Sequence, residues 1–208
     1  MLKEYINELA ENKLAGRFLS FSSFQIFYAL YLISKKTIAR AKIAEQLNVG
    51  EGTVRTILSR LIKDDLVKTS NVGCMLTVEG SHVCRELEKV FPRHSEFPRT
   101  ELTPSAFNYT FVIRNGSDKV SSGIEQRDKA ITVGAKSALV INFIRGRLRI
   151  NSVSDEIGKT FPTVARQILE DFKPEENDAI VIASGETALK AMHGAFAASW
   201  SLLGDQGH

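Results

Sequence analysis

The chain has 208 residues, of which 43% are hydrophobic and 25% charged, and its net charge is +3. This balance fits one or two domains with real cores and excludes both a polycation and a disordered, highly charged chain. Two cysteines and four histidines without ligand spacing exclude a disulfide framework and a zinc site, so no cofactor is expected.

The positive charge is unevenly placed. Residues 1–91 carry 13 Lys and Arg against 10 Asp and Glu, and residues 92–208 carry 14 against 14. Within residues 35–71 the count is 8 against 4. Such a local excess suits a polyanion. No signal peptide is read at the start, and no apolar run reaches about 18 residues. A cytoplasmic protein with no membrane partner is expected, with reduced thiols. Cys74 and Cys84 read as small buried residues, a redox pair being the alternative.

In chain order, Leu2, Ile6 and Leu9 line one side of a short helix expected to end near Gly16. It is expected to pack on its own domain or on a partner's copy. Ser22 and Gln25 have capping-box spacing, and Ile26, Ala29, Leu30 and Ile33 continue as a buried stripe. Ile38 is expected to begin a short strand. Ile43, Ala44 and Leu47 give the next helix its buried side. Residues 48–53 then form a turn, with Gly52 or Thr53 as the expected cap of the following helix.

That helix sorts into two faces. Val54, Ile57, Leu58, Leu61 and Ile62 recur at helical spacing and form an apolar stripe. Arg55, Thr56, Ser59, Arg60 and Lys63 fall outside it and offer three cations and two hydroxyls. A helix of this kind can lie in a major groove, where hydroxyls and guanidinium groups reach base edges and phosphates. The plain alternative is a helical hairpin with a solvated face. Residues 66–69 and 74–78 then read as two strands joined by a turn at 70–73, and a further helix follows from Gly80.

This order resembles the winged helix-turn-helix domain of prokaryotic transcription regulators. The resemblance is carried by residues 43–47, 50–63, 66–67 and 76–80. It implies that residues 50–60 are the recognition helix with its start and that residues 68–71 are the wing. The expected DNA-binding residues are therefore Thr53, Arg55, Thr56, Ser59, Arg60, Lys68 and Asn71. The chain departs from the pattern at Asp65, where many relatives carry glycine. Asp64 and Asp65 imply that this end of the helix points away from the DNA backbone.

Val83, Leu87, Val90 and Phe91 mark a helix that closes the first domain, at 1–91, and that often dimerises in winged-helix regulators. Pro92, Pro98 and Pro104 oppose helix and central strand, so residues 92–105 read as a linker. Residues 106–208 read as an α/β domain: strands at 107–113, 138–144, 147–153 and 179–183, and helices at 125–135, 157–172 and 187–203. The expected fold class is α+β, with a C-terminal two-layer sandwich of an antiparallel or mixed sheet and helices on one face.

The whole order is similar to an uncharacterised archaeal two-domain family, on residues 50–55, 123–135 and 179–187. That resemblance implies a second domain similar in fold to the insert domain of bacterial aspartyl-tRNA synthetases. It implies no activity beyond DNA binding.

Four features of the second domain stand out. Ser184, Gly185 and Thr187 lie between a strand and a helix, where free N–H groups bind an anion or simply cap the helix. Arg127 and Asp128 form either a ligand-reading cluster or a local ion pair. Arg145, Arg147 and Arg149 are expected on one strand face, toward nucleic acid, an acidic effector, a partner's acids or water. The Ala-rich last helix reads as packed within its domain or against another chain. No nucleophile, base and orienting group can be placed together, and the lone His193 reads as structural. The expectation is a homodimeric regulator that binds double-stranded DNA, with a small-molecule effector on the second domain. The alternatives are an enzyme or a protein-assembly module fused to a winged helix.

Overall fold

The computed structural model describes residues 2–11, 21–151 and 153–204. The chain divides into two compact units, Met1–Glu88 and Lys89–His208. The fold class is α+β, as the sequence implies.

The first unit contains α1 (Leu2–Ala10), α2 (Ser23–Lys35), α3 (Arg40–Leu47), α4 (Glu51–Lys63), β1 (Val67–Ser70), β2 (Gly73–Leu76) and most of α5 (Val78–Val90). The expected end of α1 near Gly16 lies outside the described residues. The capping box at the start of α2 forms, and Gln25 Oε1 accepts from the Ser22 N–H at 2.7 Å. The interior is the apolar stripe of each helix: Ile26, Leu30, Ile43, Leu47, Val54, Ile57, Leu58 and Leu61 are all buried. Strands β1 and β2 pair antiparallel from Val67↔Leu76 to Ser70↔Gly73. Ile38 adds one further rung, with backbone bonds to Cys74 at 3.1 and 2.8 Å.

One local correction follows. The N-cap of α4 is Gly50, so Gly52 and Thr53 lie within its first turn. The left-handed residue between the helices is Asn48 (φ 51°). After α4, Asp65 takes φ 53° at the place where the winged-helix pattern favours glycine. Thr77 Oγ1 donates to the Asp65 carbonyl, and the Leu66 N–H closes on Leu61 O at 2.8 Å.

Gly80 has a steric cause. A Cβ built there would lie 1.9 Å from the Leu66 carbonyl oxygen, so α5 presses on the backbone that joins α4 to the hairpin.

The second unit holds β3 (His94–Phe97), β4 (Phe107–Ile113), α6 (Ile124–Thr132), β5 (Ser137–Ile144), β6 (Arg147–Arg149), α7 (Ile157–Thr160), α8 (Pro162–Phe172), β7 (Ala179–Gly185) and α9 (Ala188–Leu202). The sheet order is β3-β4-β7-β5-β6, antiparallel throughout. Its centre is β7, whose seven residues are all buried. One face carries Phe97, Val112, Ile141, Leu148, Ile180 and Ile182, packed with Ile157, Val164, Ile168 and Phe172 of α7 and α8. The other face meets α6 and α9, with Phe111 against Phe196 at 6.1 Å.

Helices thus cover both faces, where the sequence reading placed them on one. The cause is legible in β7: a strand without a polar face needs a partner layer on each side. The Ala-rich composition of α9 has a similar reading. A Cβ on Gly194 would lie 2.4 Å from Ala135 Cβ, so only small residues allow this approach. Strand β3 lies within the segment expected to be a linker. It sits at the sheet edge between Pro92 and Pro98, a position that flanking prolines tolerate.

These contacts predict opposite outcomes for two glycine variants. Gly80→Ala should lower the unfolding free energy by about 2–3 kcal/mol through overpacking on Leu66. Gly52→Ala meets nothing within 4 Å and should stabilise α4 by up to about 1 kcal/mol. Urea unfolding of both variants checks the pair; a neutral Gly80→Ala would contradict the packing described.

Candidate nucleic-acid interface

The orientation of α4 is set from inside. Val54, Ile57, Leu58 and Leu61 are each at most 3% exposed. The outward residues are Glu51, Gly52, Arg55, Thr56, Ser59, Ile62 and Lys63. Ile62 was expected in the buried stripe but is 43% exposed. On an ideal helix it projects close to Arg55, at roughly 100° per residue. The outer face therefore includes one large apolar group.

Thr53 is half-buried in the first turn, and its N–H bonds Gly50 O at 3.0 Å. Thr56 Oγ1 donates to Gly52 O at 3.1 Å, which leaves its oxygen lone pairs facing outward as acceptors. Arg55 and Ser59 are exposed. In the hairpin, Lys68, Thr69, Ser70, Asn71 and Val72 are all exposed. Ser70 stiffens the turn: its Oγ accepts from the Val72 N–H at 3.2 Å and donates to Gly73 O at 3.3 Å.

Arg60 departs from the expected set. Its Nη1 donates to the carbonyl oxygens of Leu9 and Glu11, both at 2.8 Å, and its guanidinium lies 4.7 Å from the Phe21 ring centroid. Position 60 projects roughly 90° from the middle of the face shared by Arg55, Thr56 and Ser59. There it meets the C-terminal end of α1, where free carbonyls favour a cation. The assignment of Arg60 to DNA binding is corrected on this ground. Nearby, the Tyr5 hydroxyl donates to Asp64 Oδ2 at 3.4 Å. Burial and the Asp64 charge push the Tyr5 phenol up to about 12. Asp64 is thus engaged with α1.

Arg40 was not singled out by the sequence reading. Its charge opposes the rise that burial imposes on the Cys74 thiol, so it stands near the base of the hairpin. The signal was Ile38, whose pairing with Cys74 draws the segment carrying Lys36 and Arg40 alongside the wing. Cys84 is also buried, and its thiol is pushed up to about 11. Both cysteines are free thiols with raised values, which suits small buried residues.

In the second unit the proposed ligand groups do not converge. Ser184 is a buried strand residue whose Oγ donates to Asn108 Oδ1 at 2.6 Å. Gly185 ends β7, and a Cβ there would lie 2.5 Å from Ala191 N. Thr187 caps α9 by accepting from the Lys190 N–H at 3.2 Å. Glu186 pairs with Lys190 at 2.9 Å, which holds its carboxyl below the ordinary range. This turn is a helix cap rather than an open anion cradle. Arg127 and Asp128 form an exposed pair at 3.1 Å. Arg145 is not on the strand face with Arg147: it occupies the turn at φ 54°, and its N–H bonds Glu176 Oε1 at 2.7 Å. Arg147 faces Glu156 at 3.5 Å. Among the described residues no group of three or more His, Cys, Asp or Glu could hold a metal ion. No described helix is long and apolar enough to cross a membrane.

Comparison with known proteins adds the following. Residues 25–82 match the family described as the PH0730-like N-terminal domain, and residues 104–202 match a domain of unknown function, DUF4443. The hypothetical protein PH0730 from Pyrococcus horikoshii OT3 is 26% identical, with a TM-score of 0.73. The match covers 88% of this chain and 93% of that one. Lactococcus lactis ZitR is 26% identical over 38% of this chain and 54% of its own, with a TM-score of 0.30. The activation domain of the phage T4 transcription factor MotA is 23% identical over 43% and 87%, also with a TM-score of 0.30. No curated protein is significantly similar to the chain.

Two outcomes follow from the geometry. Arg60→Ala should loosen α1, seen as faster amide exchange over residues 2–10, and cost about 1–3 kcal/mol of stability; unchanged exchange would contradict the contact. Burial holds the His193 imidazole down at about 4, against an ordinary value of 6.5. The unfolded chain then binds a proton that the folded chain refuses, so stability falls as pH drops from about 6.5 to about 4. His193→Gln should remove about 2–3 kcal/mol of that loss, read as the difference from the parent protein in urea unfolding at pH 7 and 4.5.

Proposed function

We propose that the protein is a DNA-binding transcription regulator that acts as a homodimer, with α4 in the major groove and the β1–β2 wing on the phosphate backbone. The observation that carries this reading is the exposed surface of Arg55, Thr56, Ser59 and Lys63, backed by a buried apolar stripe and followed in the chain by Lys68 and Asn71. In this reading Arg55 and the two hydroxyl groups read bases, and Thr53 stands near the helix start. Lys68 and Asn71 grip phosphates, and Arg40 joins them. Arg60 is excluded, because α1 occupies it. The charge excess of the first unit is modest, which favours binding as two linked copies. ZitR and MotA, a transcription factor, are weak neighbours and do not decide the matter.

The second unit is assigned to sensing a small molecule and to pairing of copies rather than to catalysis. Arg145 stands exposed in the β5–β6 turn and Arg127 on α6, surface positions of the kind that carry ligand contacts. The similarity to the aspartyl-tRNA synthetase insert would concern fold alone and adds no activity.

Filter binding of the full chain to genomic fragments over a salt series tests the reading. Affinity should fall steeply with salt. Arg55→Ala should cost about 1–3 kcal/mol and relax base preference, whereas Lys68→Ala should weaken all sequences alike. A flat salt response would favour a protein-binding winged domain, and unchanged affinity in both variants would remove α4 and the wing from the interface.

A further inference from the structure

Among the described residues, and besides Thr110 Oγ1, the second unit buries two polar atoms without a partner, on neighbouring strands. Asn142 on β5 and Arg149 on β6 are direct cross-strand partners. Their side chains therefore leave the same face of the sheet. Asn142 is 1% exposed. Its Oδ1 and the Nε of Arg149 are both buried without a hydrogen-bond partner among the described residues. Leaving such groups unmatched is costly, so natural proteins seldom do it without a use.

The orientation of the Asn142 amide is fixed by its neighbours. Asn151 Nδ2 donates to Val120 O at 2.9 Å and to Ser121 O at 2.8 Å. Its Oδ1 must then be an acceptor, and it takes the Asn142 Nδ2–H at 2.9 Å. Reversing either amide would set donor against donor or oxygen against oxygen. The acceptor oxygen of Asn142 is thereby left unmatched, as is the Nε–H of its strand partner Arg149.

Charge adds a second constraint. Glu156 serves two cations, Arg147 at 3.5 Å and Lys159 at 3.1 Å. Among the described residues Arg149 has no carboxylate within ion-pair distance. It is half-buried, so its charge is incompletely hydrated, and an anion would offset that cost.

We propose that Asn142 and Arg149 form the polar end of a binding site for a small carboxylic acid with a hydroxyl or ammonium group next to the carboxylate. The proposal deepens the sensing role given above and rests on it. The carboxylate accepts from Arg149, and the neighbouring donor satisfies Asn142 Oδ1. A simple carboxylate serves Arg149 but turns its own lone pairs toward that oxygen. Discrimination between hydroxy or amino acids and plain acids therefore resides in Asn142, and the anion requirement in Arg149.

The test is a heteronuclear NMR titration of the full chain with lactate, alanine and propionate, three acids of similar size, following the Arg149 Nε–H and Asn142 Nδ2–H signals. Lactate, alanine or both should shift the two signals saturably, and propionate should bind at least tenfold more weakly. Arg149→Gln should abolish the saturable shift at Asn142. The proposal is overturned if none of the acids gives a saturable shift, if propionate binds as well as the others, or if folded Arg149→Gln still responds. Should that variant not fold, the comparison of the three acids on the parent protein decides alone. A DNA titration of the same samples separates the two readings: intact DNA binding without acid binding removes only this inference, and acid binding without DNA binding removes only the regulator.

Discussion

A helix that buries Val54, Ile57, Leu58 and Leu61 has no freedom in what it turns outward. Each of these side chains contributes on the order of 1.5–3 kcal/mol when buried, and rolling the helix would forfeit several at once. The outward set of Arg55, Thr56, Ser59 and Lys63 is thus a consequence of the core. The hairpin is fixed by related means. Gly80 lets α5 press on the Leu66 backbone, and Ile38 ties the other side of the hairpin to the α2–α3 connection. A rigid helix and a rigid wing follow from packing, before any function is considered.

The N-terminal helix adds a constraint that comes from outside the helix-turn-helix itself. Arg60 caps the end of α1 and stacks on Phe21, while Tyr5 reaches Asp64. One flank of α4 is therefore occupied by the protein's own chain. The open surface is narrower than the full polar side of the helix. It also carries Ile62, which gives an otherwise polar face one apolar contact point.

Much of the first unit was legible because its signals are local. The Ser22–Gln25 box, the apolar spacing of α4 and the two wing strands are each decided within a few residues. What was missed depended on distant contacts. Arg60 and Arg55 look alike in sequence, and only the arrival of α1 separates them. Ile62 fits the stripe by spacing, yet it is 43% exposed. In the second unit, β7 announced its burial, but not which helices would cover which face. Arg145 fell in the turn because the hairpin reverses there at two left-handed residues, Arg145 and Gly146. The turn at Ser184 to Thr187 was open to two readings, and the bond from Ser184 to Asn108 decides for structure over ligand. The β3 strand was hidden by its prolines, which mark an edge as readily as a linker.

The central claim is that one face of α4 and the wing together meet a DNA duplex. Backbone amide chemical shifts of the full chain, followed as duplex fragments are added at low salt, test it most directly. The account predicts that the changes cluster over residues 50–63 and 68–72 while α1 keeps its contact with Arg60. Shifts confined to the second unit, or an unperturbed α4 in the presence of bound DNA, would contradict it.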